Sequence, residues 1–313
     1  MRAAVSSISF FSRPGGVMLL ASFCCLLWGS AYPAIKQGYS LFAIASHDVP
    51  AQMLFAGLRF TLAGLMLLVA SALLGWKLLL PGKEWLPVSV LGLTQTALQY
   101  VFFYIGIAFA TGAKSSIMNA TGTFFSVILA HFIYQNDRLS NRRIVGCAVG
   151  FGGVAAANYG PSIFQPDFTL AGEGSIVLAA FILSIAMIYG KMISQRINVI
   201  VMTGWQMTIG GLTLCLVGFW AGGQLHGFTP VSVALLGYMA LLSSLAFGLW
   251  STLLKHNPVG RVVIYNFLVP VFGVALSALF LHEAVFALKN LVALVLVCAG
   301  IWLVTAEKRS GLL

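Results

Sequence analysis

The chain has 313 residues, 60% of them apolar and 8% charged, and its mean hydropathy is +0.98. Soluble domains carry about 25% charged residues, so this composition excludes a soluble fold, and the net charge of +10 has to be read on a membrane protein rather than as a nucleic-acid footprint. A helix crossing about 30 Å of hydrocarbon needs about 20 apolar residues, so ten spans would use almost the whole chain and leave no room for a separate soluble domain.

The apolar runs place spans at 17–37, 50–74, 85–110, 113–134, 144–159, 172–190, 199–221, 231–254, 259–281 and 286–305. None shows the strict alternation over about ten residues that marks a barrel strand. Lipid offers no partners for free amides, so the backbone is helical.

In the first span, Trp28, Tyr32 and Pro33 combine two amphipathic rings with an expected kink, because proline frees a carbonyl that a polar neighbour or ligand must satisfy. The rings fit either packing or a binding wall. Arg2 and Arg13 precede this span as they would a signal peptide, but nine further spans argue that it stays attached.

Arg59, about nine residues into the second span, is the sharpest feature. A cation at that depth costs several kcal/mol unless it faces a cavity or partner. It either binds a carboxylate-bearing substrate or locks neighbouring groups together.

Span three carries Gln95 and Gln99 four residues apart, with Tyr100 and Tyr104 on an adjacent face. These amides form a polar cavity wall or interhelical hydrogen bonds. Span four adds Ser115, Asn119 and Thr123 on one face, with Lys114 at its outer end, where it lines an entrance or snorkels to the headgroups. His131 near the inner end can titrate but fits an interface hydrogen bond as well. Gly146 and Gly150 in span five give a Gly-xxx-Gly face suited to packing within the monomer or to a homodimer contact. In the second half, Gln206 lies in span seven, and Tyr265 and Asn266 precede Pro270 in span nine.

A duplication ties the halves together. Between Gly57–Leu68 and Gly204–Cys215, five of twelve positions are identical at an offset of 147, and Asp137 and Glu283 each end a long span at an offset of 146. Five spans per copy would set the copies upside down relative to each other, which is how many carriers build a central site with two entrances. The expected units are 1–160 and 161–313. With the N-terminus inside, thirteen of the seventeen cations fall in inner segments and Lys36, Lys114 and Lys289 at outer ends, so both termini are expected in the cytoplasm of a cell (inner) membrane.

Other chemistry fails on its motifs. His282-Glu283 lacks the second histidine of a zinc site, because Phe286 stands there, and Gly82-Lys83 and Gly190-Lys191 lack the rest of a phosphate loop. The five cysteines form no Cys-x-x-Cys pair. No catalytic residue, metal, cofactor or nucleic-acid partner is expected, and no carboxylate falls deep in a span for proton relay.

Leu27-Trp28-Gly29-Ser30-Ala31-Tyr32-Pro33-Ala34-Ile35-Lys36, Leu58-Arg59-Phe60 and the span-ending acids Asp137 and Glu283 resemble the EamA family of the drug/metabolite transporter superfamily over the full chain. The resemblance implies an all-α membrane protein of ten transmembrane helices in two inverted five-helix repeats. It also implies a central cavity lined by spans one to four and six to nine, and export of small metabolites such as amino acids. Phe124 stands where a proline would match Pro270. Phosphate-exchanging relatives cluster Lys and Arg in the cavity, whereas only Arg59 is deep here, so the expected substrate is zwitterionic or singly charged. The expected substrate-binding set is Trp28, Tyr32, Arg59, Gln95, Gln99, Lys114, Asn119, Thr123, Gln206, Tyr265 and Asn266. The rival readings are a non-transporting sensor or scaffold of the same fold, and an exchanger of phosphorylated or other anionic metabolites.

Overall fold

The computed structural model describes residues 10–110, 112–157, 159, 168–281 and 288–305, which are helical with no strand among them. We label the helices α1 (Pro14–Leu41), α2 (Val49–Leu73), α3 (Gly82–Phe109), α4 (Gly112–Ile133) and α5 (Asn141–Ala157). They continue with α6 (Leu170–Ser194), α7 (Val199–Trp220), α8 (Pro230–His256), α9 (259–281) and α10 (Leu288–Thr305). Six of them, α1, α2, α3, α6, α7 and α8, are long and apolar enough to cross a membrane, and shorter apolar helices run over Ile117–Ile133, Val259–Gly273 and Leu291–Thr305. Glu283 lies outside the described residues, as does the side chain of Lys114.

Local chemistry starts the helices. Asp48 accepts from Ala51 N at 3.0 Å ahead of α2, and Asn198 accepts from Ile200 N at 2.9 Å ahead of α7. Thr229 and Ser232 form a reciprocal capping box at α8, each satisfying an amide that the first turn leaves open. Proline occupies the first turn of α1, α2 and α8, where its missing N–H removes no helix bond.

Three helices are irregular, and α6 is one of them, opening with the π-helical turn Leu170–Gly174. Leu93–Leu98 in α3 forms a π-helical turn, and Ile264–Phe267 in α9 tightens into a 3-10 turn just ahead of Pro270, which has no amide to give back to Asn266. α1 continues as helix through Pro33.

The centre of the bundle is the crossing of α2 and α7. A Cβ on Gly57 would stand 2.8 Å from the Gly211 carbonyl oxygen, and one on Gly64 would stand 2.6 Å from that of Gly204. The backbones therefore touch directly, as small residues permit between membrane helices. The contact rises along α2 as it falls along α7, so the two run antiparallel. A second close crossing joins α5 to α10, where a Cβ on Gly300 would meet Gly146 O at 2.6 Å and Gly150 N at 2.7 Å. The Gly-xxx-Gly face of α5 is thus covered within the chain.

Candidate functional site

Arg59 is 3% exposed on α2. Its Nε donates to Ser243 Oγ on α8 at 2.7 Å, and Ser243 Oγ donates in turn to Met239 O at 2.8 Å. The serine hydroxyl proton is committed to its own helix, so its lone pairs are free to face the guanidinium. The Arg59 Cζ sits 5.0 Å from the centre of the Phe60 ring, and Tyr39, Tyr100 and Tyr104 lie within its electrostatic reach. Among the described residues no carboxylate pairs with it: the ion pairs are Arg143–Asp137 and Arg196–Glu84. The result is a buried cation held by a hydroxyl and a ring face, with its charge uncompensated among the described residues.

An aromatic row leads from this centre. Phe60 lies 4.5 Å from Tyr100 and 6.0 Å from Phe247, and Trp28 lies 5.5 Å from Phe247 and 5.0 Å from Trp250. Tyr32 is 40% exposed although its ring lies against Gly273 of α9 and close enough to feel Tyr100 of α3.

A second polar centre surrounds Gln206 on α7. Its Oε1 accepts from Thr96 Oγ1, in the π turn of α3, at 3.0 Å. Gln206 lines a small cavity together with Gln95, Thr203, Ser251 and Lys191, closed by Met187, Met202 and Leu254, with a volume of ≈ 10 Å³, room for about one water. Lys191 Nζ donates to the carbonyl of Asn257 and stands 4.9 Å over the Tyr134 ring. Tyr134 lies just beyond α4, where burial first and Asp137 second raise its phenol above the ordinary value, so it stays neutral beside the lysine. Asp137 also accepts from Gly260 N at 3.0 Å and from Arg143 at 2.6 Å, holding the start of α9.

The two centres have the same plan. Gln206 follows Arg59 by 147 residues, and Ser243 follows Thr96 by 147. Arg59–Ser243 and Gln206–Thr96 are therefore equivalent bonds in the two copies, each tying the second helix of one copy to the third helix of the other.

The structure distributes the expected set unevenly. Arg59 stands at the first centre, with Trp28 and Tyr32 along its aromatic approach, and Gln95 and Gln206 stand at the second. Gln99 is buried with its Oε1 unpartnered among the described residues, and it does not join Gln95 in the cavity wall. Asn119, half-buried, and Thr123, buried, ride on α4, which packs chiefly on α6, α5 and α9. Tyr265 is 4% exposed in an apolar cluster with Phe267 and Trp250, its carbonyl accepting from Cys25 Sγ at 3.1 Å, and Asn266 is half-buried on the same turn. Ser243, Thr96 and Lys191 were not among the expected residues. The 147-residue offset pointed to the first two, since both put a small hydroxyl at matched positions, whereas Lys191 reads from sequence as an ordinary inner-end cation.

A bundle of apolar helices whose polar and cationic side chains meet inside it is the architecture of a membrane transport protein. The chain belongs to the EamA-like transporter family, whose model matches residues 15–159 and 170–306. It is 28% identical to the uncharacterized transporter YvbV of Bacillus subtilis (strain 168), over 93% of this chain and 92% of that one. It is also 28% identical to a probable amino-acid metabolite efflux pump of Escherichia coli (strain K12), over 93% and 95%. A solved structure described only as the crystal structure of a protein superposes with a TM-score of 0.76 at 17% identity, covering 93% of this chain and 97% of that one, which establishes the shared fold. Family and relatives make this chain a transporter rather than an enzyme, embedded in a lipid bilayer.

Proposed function

We propose that the protein is a secondary carrier that exports a small zwitterionic metabolite, such as an amino acid, across the cell membrane by alternating access between two inverted five-helix units, 1–160 and 161–313. The observation that carries this reading is the pair of equivalent bonds, Arg59–Ser243 and Gln206–Thr96, set on either side of the α2/α7 crossing. A carrier of this design holds one site between two copies that exchange roles.

Helix pairing supports the inverted arrangement. α1 packs on α9 as α6 does on α4, α1 on α8 as α6 on α3, and α2 on α8 as α7 on α3, while α2·α7 and α5·α10 are their own counterparts. Each pair becomes another when five is added to both labels. The matched glycines of α2 and α7 meet antiparallel, as an axis in the membrane plane demands.

The state described is shut at the end that the positive-inside rule places in the cytoplasm. There Gln195 Nε2 donates to Lys255 O at 3.1 Å, Lys255 Nζ to Ile197 O at 3.3 Å and Asn257 Nδ2 to Phe11 O at 2.8 Å. A relative whose name refers to amino-acid metabolite efflux supports the substrate class, and among the described residues no second buried cation stands beside Arg59, which argues against phosphate esters.

The burial of Arg59 favours one rival, a scaffold in which this side chain only locks helices. Thermal melting of the purified protein against a panel of amino acids and related metabolites separates the two. A ligand at about 100 times its Kd adds about 2.7 kcal/mol to the folded state and raises the melting temperature, and the stabilising compounds should then be the ones that move across proteoliposomes. A panel without a single stabilising compound and without flux would leave the scaffold.

A further inference from the structure

The cavity beside Gln206 occupies, in the second copy, the place that the Arg59 centre occupies in the first, and the equivalence breaks at one point. Position 206 is neutral where position 59 is cationic. The missing charge is present nevertheless, supplied by Lys191 from the end of α6, at a position whose counterpart 147 residues earlier is Ile44. Gln206 Oε1 is taken by the Thr96 hydroxyl, which leaves the amide N–H donors of this cavity-lining side chain outside that bond. Ser251 adds a hydroxyl to the same wall. Lys191 has neutral partners, a backbone carbonyl and a ring, while the nearby Asp137 is held by Arg143 and Gly260.

We propose that Lys191, Gln206 and Ser251 form an inner carboxylate subsite, so that the carboxylate of a substrate is held by Arg59 in one half of the transport path and by Lys191 in the other. This rests on the carrier reading above. Three donors, one of them charged, converge on a space bounded elsewhere by methionine and leucine, and a carboxylate accepts such charge-assisted bonds more strongly than a carbonyl does. At ≈ 10 Å³ the cavity holds a water and no carboxylate. Entry therefore requires the ends of α6 and α8 to part, which breaks the Lys191–Asn257 contact. Lys191 is at once the bolt of the closed inner end and the ligand that replaces it: the substrate carboxylate takes over the ammonium as the carbonyl lets go.

The test uses the full chain in proteoliposomes with the twenty radiolabelled protein amino acids and, for each one transported, the amine left when its carboxylate is removed. Lys191→Met should slow amino-acid flux at least about tenfold, since it deletes a charge-assisted bond, while flux of the matching amine is retained or rises. Lys191→Arg should restore amino-acid flux in part. Equal slowing of amino acid and amine, or normal flux of both, overturns the subsite and leaves the carrier reading in place. Retained amine flux also shows that the variant is folded. If the unaltered protein moves none of the twenty, the amino-acid carrier reading fails, and the subsite falls with it.

Discussion

Arg59 and Gln206 hold equivalent positions with unequal energies. Taking Ser243 from Arg59 strands part of a buried charge, and hydrogen bonds to charged groups contribute about 1.5–3 kcal/mol against about 0.5–1.5 for neutral ones. Ser243→Ala should therefore destabilise the purified protein about twice as much as Thr96→Val at the matched bond, read as the drop in melting temperature. Equal drops would mean that Arg59 finds another partner as soon as the serine is gone. Arg59→Gln puts the side chain of the second centre at the first without the Lys191 that stands beside Gln206. It should abolish stabilisation by carboxylate-bearing ligands and keep that by their amines, and retained carboxylate binding would reduce Arg59 to a structural lock.

At the scale of helices, hydropathy made the spans legible, because the bilayer demands about 20 apolar residues of each. The helix bounds found, such as Val199–Trp220 against an expected 199–221, follow from that. The π turn of Leu93–Leu98 was not legible. Its residues are ordinary helix formers, and a widened turn depends on what presses against it: a Cβ on Gly92 would meet Gln206 O on α7 at 2.5 Å. The glycines make the sharpest element-scale prediction. Gly64→Ala puts a methyl group 2.6 Å from the Gly204 carbonyl oxygen, whereas Gly237 on α8 has nothing within 4 Å of where its Cβ would be. The first should lose about 1–3 kcal/mol by overpacking, and Gly237→Ala should gain up to about 1 kcal/mol, the helix propensity of alanine over glycine. Both are read by melting in the same detergent. A harmless Gly64→Ala would mean that α2 and α7 can slide apart without cost.

For the molecule as a whole, the duplication was readable in five matched residues of α2 and α7, and of these Gly57, Thr61 and Gly64 lie where α2 meets Gly204 and Gly211 of α7, while Leu65 and Leu212 face outward. Half of the candidate site followed from it, because Arg59 and Gln206 lie within the matched segment. Thr96 and Ser243 keep the same offset but lie outside the matched segment among many other small hydroxyl residues, and Lys191 has only the apolar Ile44 as its counterpart. An antiparallel α2/α7 crossing requires the turn between α1 and α2 and the turn between α6 and α7 to lie on opposite sides of the membrane. Ser46 and Gln195 are exposed in those two turns; Cys24, Cys25 and Cys147 are buried, and the half-buried Cys215 and exposed Cys298 are first replaced by alanine to remove background labelling. In intact cells a membrane-impermeant thiol reagent should label Ser46→Cys at once and Gln195→Cys only after permeabilisation, because the turn holding Gln195 is flanked by Lys191 and Arg196 and basic turns stay inside. Labelling of both from the same side would mean that the copies are parallel. The Arg59 and Gln206 centres would then not be two faces of one path, and a single site with alternating entrances could not be built from them.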